Sequence, residues 1–419
     1  MLKVIKYYGD RIFRNIKTFL KWICIAIITG VVVGLFSIIF SFCITWVTDF
    51  RNSHHYIIFL LPIAGCFIVF LYKLFDYSNN KGTNLVLSTI HSETRLPFKM
   101  APLIFISTIV THLFGGSAGR EGAALQLGGS IGSKIAELLK LDEQDQHVVI
   151  MCGMSAAFSA LFGTPMAASI FSMEVISVGV MYYAALVPCV FSAIIASNFA
   201  STMGISPEKF KIKMIPDMNL ENSVKIIIIA MACAAISVLF CMMLHGIGDL
   251  YRKYLKNQYL RISTAGIIII LMTLILGTGD YLGAGIPVIE RAIEGEAVPF
   301  AFLMKMLFTA LTLEAGFKGG EIVPSFFIGA TFGCMAGHIL GISPSLCAAV
   351  GMTALFCGVT NCPITSLLIS FELFGYKGVA YFMIAISVSY LLSGYYGLYH
   401  DQTIVYSKYK AKYINKKTT

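Results

Sequence analysis

Charge is in short supply: only 13% of the 419 residues are Asp, Glu, Lys or Arg, against about 25% in a soluble globular chain. Neither one soluble core nor two smaller ones could be coated with so few polar residues. A soluble enzyme, a nucleic-acid-binding protein and a disordered chain are excluded on that ground. Metal-ligand spacing is missing as well. The eleven cysteines include no Cys-x-x-Cys and fall within apolar stretches, Cys24, Cys152, Cys233 and Cys357 among them. They read as small buried hydrophobes, with no disulfide, metal or cofactor implied. The histidines are scattered; His112 and His338 lie inside apolar segments without a second ligand at helical spacing, and read as packing or interfacial groups. A cleavable signal is not expected either, because the apolar run from Trp22 to about Val47 is too long for a signal core.

What is abundant is apolar sequence, 57% of the residues with a mean hydropathy of +0.79. Apolar stretches recur at roughly 22–49, 56–75, 101–116, 123–139, 148–172, 181–200, 223–247, 262–277, 300–316, 324–340, 345–374 and 379–397, on the scale of the ~20 residues a transmembrane helix needs. Several are short, or cut by Gly and Pro. Such breaks are tolerated only inside a helix bundle or beside a cavity. The expected fold is therefore an all-α integral membrane protein of tilted, partly broken helices. The net charge of +9 concentrates at both ends and in a cluster at Arg252, Lys253, Lys256 and Arg261. By the positive-inside rule both termini face the cytoplasm, which implies an even number of crossings. The basic groups also suit lipid headgroups, and no nucleic-acid partner is expected.

An internal repeat organises the chain. Residues 153–174 align without a gap on 351–372, matching Gly153 with Gly351, Met154 with Met352, Phe158 with Phe356, Pro165 with Pro363, Ser172 with Ser370 and Glu174 with Glu372. A Gly-rich acidic segment precedes each copy, at 115–129 and 316–330, placing Glu121 32 residues before Gly153 and Glu321 30 before Gly351. Hydrophobicity alone does not produce matched Gly, Pro and Glu. Duplicated halves with interrupted segments at corresponding places point to a transporter with its site at the repeat interface. The expected layout is a basic cytoplasmic segment 1–21, a first membrane repeat 22–215, a second repeat 216–410 and a basic cytoplasmic tail 411–419, with no C-terminal regulatory domain.

Glu121 is the sharpest candidate for chemistry. Glycines at 115, 116, 119 and 122 surround it, and an apolar helix follows from about Ala123. The glycines allow a sharp turn, and the helix start gathers N–H groups into an anion site. A carboxylate tethered there competes with a passing anion until it takes up a proton. The bland alternative is a helix-capping acid. Glu321, in Gly319-Gly320-Glu321-Ile322-Val323-Pro324, either mirrors Glu121 or serves as a structural acid, and the structural role is favoured. Glu174 and Glu372 suit interfacial or helix-pairing roles as well as a proton path. The break at Asn80-Lys81-Gly82-Thr83-Asn84 reads by itself as a polar loop.

Gly119-Arg120-Glu121-Gly122, the GGEIVP segment at 319–324 and the paired Gly-Met-x-Ala-x-Phe…Pro segments resemble the CLC family of anion channels and proton-coupled antiporters over about residues 20–410. The resemblance implies two inverted-topology repeats, a homodimer in the plasma membrane and one anion pathway per subunit. It implies Glu121 as the gating and proton-carrying glutamate. Thr83, Gly119, Arg120, Gly122, Ile322, Val323 and Tyr406 would form the anion site, with Tyr399 and Tyr396 as rivals for the tyrosine. Val175 stands where chloride/proton exchangers carry an internal glutamate, Thr83 begins G-T-N-L-V in place of G-S-G-I-P, Ala123 follows GREG, and Ile322 replaces phenylalanine. That combination is similar to the fluoride/proton antiporter branch. The function implied is export of fluoride in exchange for protons, with a chloride channel or chloride/proton exchanger as the alternative. A remote alternative of another class is an intramembrane serine protease using Ser155 with His245 or His338, but Thr353 at the matching place in the second copy marks Ser155 as repeat architecture.

Overall fold

The structure, a computed structural model, describes residues 2–77, 82–91 and 96–419. Asn80 and Lys81 of the third glycine-centred break lie outside the described residues, while Gly82 and Thr83 lie within them. Eight α-helices build the first half: α1 (Leu2–Ser53), α2 (Leu61–Leu74), α3 (Thr83–His91), α4 (Met100–Leu113), α5 (Glu121–Leu138), α6 (Glu143–Phe162), α7 (Pro165–Glu174) and α8 (Leu186–Thr202). Eight more follow in the second: α9 (Leu220–Tyr254), α10 (Gln258–Leu276), α11 (Ile286–Ile293), α12 (Ala301–Ala315), α13 (Ile322–Leu340), α14 (Pro344–Thr360), α15 (Pro363–Phe374) and α16 (Val379–Leu392). Among the described residues, seven helical stretches are long and apolar enough to cross a membrane. Outward-facing residues such as Phe36, Phe67, Leu239 and Ile275 stay apolar and exposed, as a lipid-facing surface requires.

The two halves pack by the same plan. α5 lies on α6 as α13 lies on α14, α1 packs on α8 as α9 packs on α16, and α4 meets α5 as α12 meets α13. The closest approaches rest on paired glycines: a Cβ on Gly128 would collide with the Gly153 carbonyl, and one on Gly329 with the Gly351 carbonyl. The long apolar segments 148–172 and 345–374 each break at the same point. Gly163 (φ 68°) ends α6 and Asn361 (φ 60°) ends α14 in the left-handed region, and Pro165 and Pro363 then open α7 and α15.

Glu174 and Glu372 hold the halves together by reciprocal capping. Glu174, the last residue of α7, accepts from the N–H of Ile364 (3.0 Å) and of Thr365 (2.8 Å) and from the Thr365 hydroxyl (2.6 Å) at the start of α15. Glu372 near the end of α15 accepts from the N–H groups of Met166 (2.9 Å) and Ala167 (2.8 Å) at the start of α7. Each carboxylate therefore satisfies orphan donors of the other repeat's broken helix. This is possible only because α7 and α15 run antiparallel, as inverted repeats dictate.

Two short helices, α3 and α11, escape the hydropathy pattern, and a small three-stranded sheet adds to the expected all-α fold. Strand β1 (Ser177–Val178) pairs in parallel with β2 (Thr403–Tyr406), which pairs antiparallel with β3 (Tyr413–Lys417). The segment 411–419 is thus folded back on the body. Thr418 donates its N–H to the Gln402 carbonyl (3.1 Å) and its hydroxyl to the Tyr399 carbonyl (2.6 Å), and Lys417 pairs with Asp401.

Candidate functional site

The glycine-rich segments of the two halves meet at the centre of the bundle. Gly119 N–H donates to the Gly320 carbonyl (2.7 Å) and Gly320 N–H to the Gly119 carbonyl (2.8 Å). Around this bridge the halves exchange hydroxyl contacts. Ser117 N–H donates to Thr312 of α12 and Lys318 N–H to Thr111 of α4, both at 3.1 Å. No side chain fits at the bridge, since a Cβ on Gly119 would strike the Glu121 carboxylate and one on Gly320 the Gly122 N–H.

These pairs share one offset, and it bears on which residue matches Glu121. Ser117 corresponds to Lys318, Gly119 to Gly320 and Thr111 to Thr312, so the counterpart of Glu121 is Ile322, each the first residue of its helix. Glu321 corresponds to Arg120, the residue just outside the helix. It is not the mirror image of Glu121, because 32 residues separate Glu121 from Gly153 but 29 separate Ile322 from Gly351, three fewer.

Glu121 is fully buried at the start of α5. One carboxylate oxygen, Oε2, accepts from Arg120 N–H at 2.9 Å. The other, Oε1, has no hydrogen-bond partner among the described residues; the nearest cation, Arg120 Nε, stands 3.7 Å away. The N–H of Val323 at the start of α13 also faces the carboxylate. Ile322 and Val323 are themselves buried, so the walls here are apolar side chains and backbone amides. Buried carboxylate oxygens are normally bonded, and an orphan one at a convergence of two helix starts is a place for a proton or an exchange with another anion.

Two cavities approach this point without touching Glu121. One of about 460 Å³ is lined by Arg51, His112, Arg120, Glu208 and Asp280 among others. The other, about 420 Å³, is lined by Thr83, Gln126, Arg252, Lys318, Glu321 and Tyr399 among others. Thr83 donates to the Gly122 carbonyl (3.4 Å) and accepts from Gln126 Nε2 (3.2 Å), which also donates to that carbonyl (3.2 Å). The structure thus brings Glu121, Gly119, Gly122, Thr83, Ile322 and Val323 together.

Two expected anion ligands are placed differently. Arg120 lends its backbone N–H to Glu121, but its guanidinium turns away to Glu208 (3.1 Å), the Leu161 carbonyl (3.4 Å) and Ser41 (3.5 Å). Tyr406 is 47% exposed on β2, beside Gly179 and edge-on to Tyr413. Sheet pairing fixes it at the rim, so it is not a lining residue. Its rival Tyr399 is 1% exposed, lines the second cavity and leaves its hydroxyl unpaired among the described residues.

Four further polar groups gather at the site: Glu321 and His112, given structural roles from sequence, and Gln126 and Lys305, not singled out there. Gln126 is the one amide in the apolar start of α5, a signal that was legible. Glu321 presents an unpaired Oε2 near Gly122. Lys305, fully buried in α12, donates to the carbonyls of Tyr281 (3.1 Å) and Gly283 (2.7 Å) and so pins the loop that walls the first cavity. His112 faces the Gly119 carbonyl at 3.3 Å. The protease constellation is not assembled. Ser155 donates to the Cys189 carbonyl (3.0 Å), His245 stacks on His400 with centroids 3.7 Å apart, and His338 lies 2.9 Å from the Gly295 carbonyl. All eleven cysteines are free thiols.

A family model described as voltage gated chloride channel matches residues 64–394. The chain is 33% identical over 396 residues to a chloride/fluoride channel protein of Pseudomonas syringae pv. tomato, covering 93% of this chain and 88% of the relative. Among solved structures it resembles a CLC-type fluoride/proton antiporter, with TM-score 0.88, 30% identity and coverage of 91% of this chain and 98% of the other. A slow cyanobacterial Cl⁻/H⁺ antiporter shares the fold, with TM-score 0.75 at 17% identity over 89% of this chain and 94% of the other.

Proposed function

The chain belongs to the voltage-gated chloride channel (CLC) family, and from that premise we propose that it exports fluoride in exchange for protons, with Glu121 as gate and proton carrier. The observation that carries this reading is the Glu121 carboxylate. It is buried where the two repeats meet, bonded through one oxygen only, and stands between two cavities that it does not line. As an anion, Glu121 occupies the amides at the helix starts and closes the way. Protonation removes the attraction to those amides, the side chain leaves, and a small anion from the cavity takes its place. Return of the carboxylate then delivers the proton to the opposite side.

Oε2 of Glu321 and the hydroxyl of Tyr399, both without a hydrogen-bond partner among the described residues, are the groups through which a proton or an anion reaches Glu121 from the second cavity. That cavity includes Arg252 of the basic cluster, which on the positive-inside rule marks the cytoplasmic side. Both termini then face the cytoplasm of the plasma membrane, and two copies assemble as a homodimer with one pathway each. Val175 in place of an acid supports the fluoride reading over a chloride/proton exchanger. The chloride alternative keeps its place because the Pseudomonas relative is described by both anions.

The test is efflux of fluoride and chloride, with proton movement, from liposomes holding the purified chain. Fluoride should leave faster than chloride and drive protons inward, and Glu121→Gln should abolish the proton movement. Chloride efflux equal to that of fluoride would overturn the selectivity, and proton coupling surviving in Glu121→Gln would remove Glu121 from its role.

A further inference from the structure

Arg120 stands between two carboxylates, the buried Glu121 and the partly exposed Glu208, and hydrogen-bonds the side chain of only one of them. Its Nη2 bonds Glu208 at 3.1 Å, while its Nε is 3.7 Å from Glu121 Oε1, beyond hydrogen-bond reach. The other side-chain contacts of the guanidinium, to Leu161 and Ser41, are at the long limit. Glu208 is therefore what holds the nearest positive charge at a long ion contact with Glu121, short of a hydrogen bond. It sits on the connector between the repeats, outside the spanning helices, and its place there is fixed. Its N–H donates to the Phe162 carbonyl at 3.1 Å, its neighbour Pro207 fills the space over Gly163, and Phe210 N–H donates to the Leu373 carbonyl at 2.9 Å.

We propose that Glu208 is a positioning residue for the transport cycle: by holding Arg120 short of a hydrogen bond to Glu121 it sets the pH at which the gate takes up its proton. The inference rests on the reading of Glu121 as gate and goes beyond it by naming the residue that tunes it. With Glu208 neutral, the guanidinium loses its main partner and moves onto the unpaired Oε1. Closing the 3.7 Å ion contact to a hydrogen bond favours the ionised carboxyl further, so Glu121 then resists protonation and the gate needs more acid to open. The charged groups that face Glu208 are Arg120 from the loop before α5, Glu290 from α11, and across the shared cavity Asp49 and Arg51 of α1, His55 and His112, and Asp280 before α11. Burial raises the Glu208 carboxyl above its ordinary value, against the pull of Arg120 and with the help of Glu290, but Asp280 is taken up by Arg291 at 2.6 Å and Arg51 by the His112 carbonyl at 3.1 Å. Arg120 is the one cation bonded to Glu208 among the described residues.

The experiment is fluoride efflux with proton coupling from liposomes of the full chain, across a symmetrical pH series. Glu208→Gln should move the midpoint of the pH profile to the acid side by about one pH unit, the low end of what one close opposite charge does to a carboxyl. Glu208→Asp, one methylene shorter but still charged, should move it part of the way. In an Arg120→Gln background, Glu208→Gln should no longer move it. An unshifted midpoint in folded Glu208→Gln would overturn the proposal, as would the same shift persisting without Arg120. Should Glu208→Gln not fold, the presence or absence of the partial shift in Glu208→Asp decides. Glu121→Gln runs in parallel: survival of its proton coupling sinks the gate reading, whereas loss of coupling with an unmoved Glu208→Gln profile sinks this inference alone.

Discussion

Tyr399 and Tyr406 are the same side chain seven positions apart, and only their surroundings separate them. The Tyr406 ring lies on a strand at the rim, while the Tyr399 ring is sunk in the cavity that Thr83 and Glu321 also line, its hydroxyl without a partner among the described residues. If that hydroxyl serves the anion, its loss removes one donor worth about 1 kcal/mol, about fivefold in rate. Tyr399→Phe should slow fluoride efflux by about that factor, and Tyr406→Phe should leave it unchanged; the reverse ranking in one liposome assay would return Tyr406 to the site. Scarcity made Glu121 legible, since an acid among glycines stands out in a chain with so few acids. The same reasoning left Glu321 between a mirror of Glu121 and a structural acid, and found neither Glu208 nor Lys305. Their neighbours along the chain are unremarkable, and their partners are far away in sequence.

At the scale of elements, broken helices were foreseeable and their repair was not. Gly163-x-Pro165 and Asn361-x-Pro363 announce the breaks, because proline has no N–H to extend the helical ladder and disfavours helical backbone in the residue before it. The donors freed by each break are met by a carboxylate from the opposite repeat. Glu174 is 7% exposed and accepts three bonds, whereas Glu372 is only half-buried and accepts two. Removing a buried charged acceptor costs about 2 kcal/mol, less where water can replace it. Glu174→Ala should therefore lower the melting temperature in detergent more than Glu372→Ala does. Equal effects would mean that the caps are interchangeable with solvent. The same capping accounts for two acids that sequence left between interfacial and proton-path roles: all their donors are backbone or hydroxyl groups of the opposite helix.

Across the whole molecule, the C-terminal residues act on the site from a distance. Residues 411–419 form β3 and end in contacts to the Tyr399 and Tyr395 carbonyls, bracing the segment that presents Tyr399 to the cavity. Deleting them removes several bonds of about 1 kcal/mol each. The truncated chain should still fold in its helical body but should transport fluoride no faster than Tyr399→Phe. Unimpaired efflux would show that the Tyr399 segment holds its place alone. The sequence by itself determined the membrane class, the duplication and the position of Glu121, because composition, periodic Gly and Pro, and a lone acid are all local properties. Only the tertiary structure decided that Glu321 answers to Arg120, that Tyr399 and not Tyr406 lines a cavity and that Glu208 pairs with the arginine next to Glu121. Each of those depends on how far one half is shifted against the other, which is set by glycine-to-glycine contacts between segments about 200 residues apart and leaves no trace in any single stretch of chain.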